Sequence, residues 1–197
     1  MAMHWTGTID HALIDKAMPK ADYLVTEQIV LPVPPQEAFA AINTFDLADV
    51  RQPVVRAAVR LTRLPGQLLR GRPARLTLDD LVTRANWLPL GRRPEKDIVL
   101  GAVGQFWTPV VRWKAITPEE FAEFNGAGWA KVVIGFAVLP YGDHRSVVAH
   151  EARIKFYDRG TQKTFTSFWW LVRPLVRITL RAMLDTIRDT AIAAEQS

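Results

Sequence analysis

Apolar and polar residues alternate along some stretches of the chain and recur at helical spacing along others, and the two periods predict an order of elements. Residues 23–31, "YLVTEQIVL", interleave Val, Ile, Leu and Tyr with polar positions and read as a strand. Pro32 and Pro34 end it, because neither can donate to a ladder. Pro35 suits the first turn of a helix, where its missing N–H is harmless, and Phe39 and Ile42 give that helix an apolar stripe. Residues 54–70 have a helical pattern broken at Pro65-Gly66, and Pro73 interrupts the chain again beyond it. "LTLDDLVTR" reads as a short helix with Asp79 and Asp80 near its middle, and Pro89, Gly91 and Pro94 mark a loop.

Four strand-like runs come next. "KDIVLGAVGQFW" places Ile98, Leu100, Ala102, Gly104 and Phe106 on one face, and "VRWKAI" sets Val111, Trp113 and Ala115 against Arg112 and Lys114. "WAKVVIGFAVLP" sets Val132, Ile134, Phe136 and Val138 opposite Lys131. "RSVVAHEARIKFYD" sets Val148, His150, Ala152, Ile154 and Phe156 opposite Glu151, Arg153 and Lys155, and "LPYGDH" before it is a hairpin turn signal. Strand, helices, consecutive strands and a final helix predict an α+β fold with its helices on one face of an antiparallel sheet.

The final helix has the strongest pattern. At about 100° per residue, Arg173, Arg177, Arg181 and Arg188 fall within roughly 80° of one another. Phe165, Phe168, Trp169, Val172, Leu175, Val176, Leu180, Met183 and Ile187 share the opposite side, over an arc of about 140°. Trp169 is expected to be buried and Trp170 more exposed. Pro174 lies near the arginine edge, where a proline bends a helix with its apolar side concave. Such a helix can lie on a membrane surface, pack on a sheet as solid core, or roof a pocket.

Composition narrows the classes. The chain has 197 residues, enough for a real core, and we read it as one domain with its core at about 22–195 and residues 1–21 as an N-terminal extension. It has no cysteine, which excludes disulfides, zinc thiolates and a cysteine nucleophile and fits a cytoplasmic location. The N-terminus, "MAMHWTGTIDHALIDK", has no secretory pattern, and no window is long and apolar enough to predict a spanning helix. The net charge is +5, and residues 51–75 hold seven arginines and no acid. That segment is either a solubilising face or a site for phosphates, carboxylates or an anionic membrane.

The stretches "YLVTEQIVLPVPPQEAFAAI", "DIVLGAVGQFW", "WAKVVIGFAVLP", "VVAHEARIKFYD" and "FWWLVRPLVRITLRAMLDTIRDTAIAAE" resemble, in that order, the START-like helix-grip superfamily. This is the SRPBCC, or polyketide cyclase/dehydrase and lipid-transport, superfamily, and the chain looks like its small bacterial members over residues 22–195. The resemblance implies a curved antiparallel sheet wrapped around a long C-terminal helix, with a cavity between them. Family members bind lipids, sterols, hormones, polyketides or aromatic compounds, and some are enzymes, so the fold alone does not give the function. Related bacterial chains tend to carry Thr between the Glu and Arg of "EAR"; here the residue is Ala152.

The candidate chemistry is sparse. There is no P-loop, GxGxxG, GxSxG or HExxH, and His4, His11, His144 and His150 are not spaced for a metal, so no cofactor is expected. His150 falls on the apolar face, either as a satisfied core histidine or as a group that orients a ligand or moves a proton. Glu151 and Arg153 fall on the other face as a solvated pair worth at most about 1 kcal/mol, unless a bulge turns both into the cavity. Phe106, Trp113, Phe136, Phe168, Trp169 and Val172 join His150 as the expected ligand-binding wall, a composition that equally describes a filled core. The aromatics do not interleave with the arginines as a nucleic-acid stacking platform requires.

Three functions stay open. The first is binding of a hydrophobic or amphipathic small molecule in an internal cavity. The second is a cyclase or dehydratase acting on an aromatic or polyketide-like substrate, with His150 as acid/base. The third is docking of residues 51–75 to an anionic membrane or partner. Arg56, Arg60 and Arg63 are expected at the cavity mouth, close to the arginine stripe of residues 173–181.

Overall fold

The computed structural model describes residues 12–46, 77–84 and 86–195. The helical reading of 54–70 and the mouth residues Arg56, Arg60 and Arg63 lie outside these. Strand β1 runs Tyr23–Leu31 and helix α2 runs Pro35–Thr44, with Pro at its first position and Phe39 and Ile42 buried. Before them comes α1, Ala12–Ala17. After them come α3 (Leu78–Arg84), β2 (Leu88–Arg93), β3 (Asp97–Gln105), β4 (Arg112–Lys114) and α4 (Pro118–Glu123). The chain then forms β5 (Ala130–Pro140), β6 (Ser146–Phe156) and α5 (Arg159–Glu195).

The strands form one antiparallel sheet in the order β1-β6-β5-β3-β2, with β4 paired to the end of β3. With α5 laid across it, this is the helix-grip α+β fold. Period two divides the strands between two cores. The inner face carries Val25, Ile29, Ile98, Leu100, Val132, Phe136, Val148 and Ile154, packed with α2 and the apolar side of α5. The outer face carries Val99, Val103 and Val133, packed with Ile14 and Met18 from the α1 region and Phe121 of α4.

The expectation of helices on one face is therefore corrected, since α1 and α4 cover the other. Glycines allow the close approach. A Cβ at Gly135 would stand 3.0 Å from Ile14 Cδ1 of α1, and one at Gly101 would stand 2.9 Å from Phe121 Cζ of α4. Helix α4 carried a readable signal, "TPEE": the Thr117 hydroxyl accepts from Glu120 N at 3.2 Å while Glu120 Oε2 accepts from Thr117 N at 2.8 Å.

Two further expectations change. Residues 88–93 form a strand rather than a loop. Pro89 is tolerated because β2 is an edge strand, and the register shifts between Pro89 and Gly91. Helix α3 starts at Leu78, so Asp79 and Asp80 lie in its first turn, where carboxylates meet unpaired N–H groups. Asp80 accepts from Thr77 N at 2.9 Å.

Helix α5 has the expected phase. Trp169 is 9% exposed and Trp170 is 72% exposed, and Phe165, Leu184 and Ile187 are fully buried. The helix continues through Pro174, which sits on its exposed side.

Candidate functional site

The inner face of the sheet and the apolar side of α5 enclose two groups of aromatic residues. The larger one is centred on Phe165. Its ring lies 5.0 Å from Tyr23, 5.5 Å from Phe106, 5.6 Å from Trp107, 4.9 Å from Phe156 and 5.7 Å from both Phe168 and Trp169. Trp113 joins through a stacked contact with Phe106 at 6.1 Å, and Trp87 joins through Trp113 at 5.6 Å. The Tyr23 hydroxyl and Thr166 Oγ1 share a hydrogen bond of 2.7 Å, which ties β1 to the start of α5. Four of the expected wall residues, Phe106, Trp113, Phe168 and Trp169, thus meet around Phe165. Tyr23, Trp87, Trp107, Phe156 and Phe165 complete the group and were missing from the expected wall. Periodicity already set Phe156 beside His150 and Phe165 beside Trp169, and Tyr23 was readable the same way, because it extends the inward alternation of β1.

Phe136 and His150 form the second group. Their rings stack at 4.1 Å and 8°, and Phe45 approaches Phe136 at 6.0 Å. They are cross-strand partners of β5 and β6, so the register itself puts one ring on the other. Val172 is buried on α5, within the same inner core.

His150 is buried, and its Nδ1 lies 2.8 Å from the Gly135 carbonyl oxygen. Burial pushes its pKa down to about 4, against the upward pull of that carbonyl, so the ring is neutral at pH 7. A carbonyl only accepts, so Nδ1 carries the proton and donates, and Nε2 keeps a lone pair. Opposite His150 on β1 stands Glu27, whose Oε1 accepts from Arg177 Nε of α5 at 2.7 Å. Farther along β6 on the same face, the Ser146 hydroxyl is fully buried and has no hydrogen-bond partner among the described residues.

This histidine sets a pH prediction. Its folded pKa, about 4, lies below the ordinary 6.5, so the unfolded chain takes up the proton first as pH falls. The stabilisation is fully present above pH 6.5 and lost as pH falls towards 4, a change on the order of 3 kcal/mol. Urea midpoints measured from pH 7 to pH 4 check this. His150→Phe keeps a ring on Phe136 and is expected to flatten that part of the curve; an unchanged slope would assign the loss to other groups.

Glu151 and Arg153 lie on the outer face, not in solvent. Both are buried, at 5% and 7% exposure. The β5–β6 register runs unbroken from Ala130–Phe156 to Pro140–Ser146, so no bulge turns them inward. Arg153 donates from Nε to Glu151, from Nη1 to the Met18 carbonyl oxygen at 2.6 Å and from Nη2 to Asp15 Oδ1 at 2.6 Å. The solvated pair expected from alternation is corrected: α1 covers it, because the sheet carries apolar residues on both faces.

No described helix is long and apolar enough to cross a membrane. No protein-family model matches the chain, and no curated protein matches it. Among solved structures it is similar to norcoclaurine synthase from Thalictrum flavum, at 12% identity and TM-score 0.39, over 98% of this chain and 95% of that one. It is also similar to a conserved protein from Geobacillus kaustophilus, at 10% identity and TM-score 0.37, over 85% and 97%. A protein from Rhizobium loti matches at 13% identity and TM-score 0.35, over 83% and 96%. The helix-grip assignment therefore rests on this chain's own six-stranded antiparallel sheet and the 37-residue helix laid across it.

Proposed function

We propose that the protein binds a hydrophobic or amphipathic small molecule between the inner face of the sheet and α5, with His150 as its polar anchor. The observation that carries this reading is the state of His150. It is buried among apolar residues, neutral, and bonded through Nδ1 to a backbone carbonyl, which leaves Nε2 as an acceptor. A few polar groups set in an aromatic and aliphatic wall are the usual means of orienting a small ligand. The Ser146 hydroxyl, without a hydrogen-bond partner among the described residues, adds hydrogen-bonding capacity on the same face. An acid/base role for His150 fits less well, because a base with a pKa of about 4 takes up little proton at neutral pH.

Native mass spectrometry of protein purified without denaturant is expected to show a retained small-molecule adduct. A hydroxylated probe such as 2-naphthol is expected to bind, and to lose about 2- to 10-fold in affinity on His150→Phe, the range of one neutral hydrogen bond. 2-Methylnaphthalene, which cannot donate, is expected to bind both proteins alike. If neither naphthalene binds and no adduct is found, the inner face is solid core.

A further inference from the structure

The outer face holds a cationic arrangement that the inner-face reading does not use. Lys131 of β5 and Lys155 of β6 are direct cross-strand partners, and like charges so placed repel. Lys155 is neutralised by Asp22 Oδ1 at 3.2 Å. Lys131 is 5% exposed and has no carboxylate partner among the described residues. Its Nζ makes one hydrogen bond, to the Ala122 carbonyl oxygen at 3.3 Å, and sits 4.4 Å from the centre of the Phe121 ring. Burial alone pushes its pKa down. A buried ammonium without a counterion is costly, and the residual N–H donors call for an acceptor.

That ammonium borders a groove of about 550 Å³ between α1, β2 and α4. Among the described residues, Lys16, Lys20, Lys131 and Lys155 all line it and no acid does, while Phe121, Leu90 and Met18 supply apolar wall. The volume is that of a small-molecule site. A nucleic-acid backbone would need a longer cationic track.

We propose that this groove binds a small organic anion, its carboxylate held by Lys131 and its apolar body laid along Phe121, Leu90 and Met18. The site lies across the sheet from His150, so it stands or falls independently of the inner-face ligand.

The test titrates decanoate and decanol into wild type, Lys131→Met and Lys131→Arg, with the lysine side-chain nitrogens followed by NMR. Met keeps the length and apolar contacts of the Lys stem without its charge. Decanoate is expected to move the Lys131 nitrogen resonance in the wild type. Its affinity should fall at least about tenfold in Lys131→Met, the loss of one charge-assisted hydrogen bond, and be largely kept in Lys131→Arg. Decanol is expected to leave that resonance in place and to bind all three proteins alike. A Lys131 resonance unmoved by decanoate, or equal decanoate affinity for wild type and Lys131→Met, overturns the proposal. Inner-face binding, by contrast, is read from the naphthalene probes and His150→Phe, which this experiment leaves untouched.

Discussion

Arg153→Met is expected to lower stability by about 3–5 kcal/mol, the cost of removing one partner from a buried ion pair. The guanidinium does three things at once. It faces the buried Glu151 carboxylate, donates to the Met18 carbonyl oxygen just beyond α1, and reaches Asp15 on α1. Its removal takes away Glu151's guanidinium partner and two of the polar ties between α1 and the sheet. Urea unfolding measures the loss, and a cycle with Glu151→Gln isolates the pair. The double variant is expected to recover part of the stability, because the neutral amide no longer demands a cation. A loss below about 1 kcal/mol would mean that the pair behaves like one in water.

Phe165→Ala is expected to cost about 3–5 kcal/mol, the range for truncating a fully buried aromatic residue. Phe165 is 0% exposed and touches rings from β1, β6, the segment after β3 and its own helix. No other described ring meets so many, so a cavity there cannot close without shifting several elements. Trp170→Ala, five residues along the same helix and 72% exposed, is expected to change stability by no more than about 0.5 kcal/mol. Thermal and urea unfolding of both variants checks the pair; equal losses would contradict the side of α5 that faces the sheet.

The inner face was legible because its signal is periodic. Alternation put Phe136, His150 and Ile154 on one side of their strands, and helical spacing separated Trp169 from Trp170. The outer face was not legible for the same reason. Glu151 and Arg153 read as a solvated pair because charge on an alternate face usually is, and Lys131 and Lys155 showed only that they lie opposite the apolar set. Here α1 and α4 cover that face, and both helices are only six residues long, too short for a periodic signal. Strand β2 was hidden by Pro89 and Gly91, which read as loop residues until the strand is known to lie at an edge. Ring contacts escaped as well, since period gives the side a residue faces but not which rings meet across elements.

The two edges of the sheet bear on how the chain behaves at high concentration. An open edge strand is a template on which another chain can add by backbone pairing. On β1, Arg181 Nη1 of α5 donates to the Gln28 carbonyl oxygen at 3.2 Å and Arg177 holds Glu27, so two arginines lie against the nine-residue edge. At the other edge, Pro89 has no N–H to offer and the neighbouring register shift breaks the row of donors. Among the described residues, charge at one edge and backbone chemistry at the other thus oppose strand-by-strand growth, and the arginines that read as a surface stripe are part of that opposition.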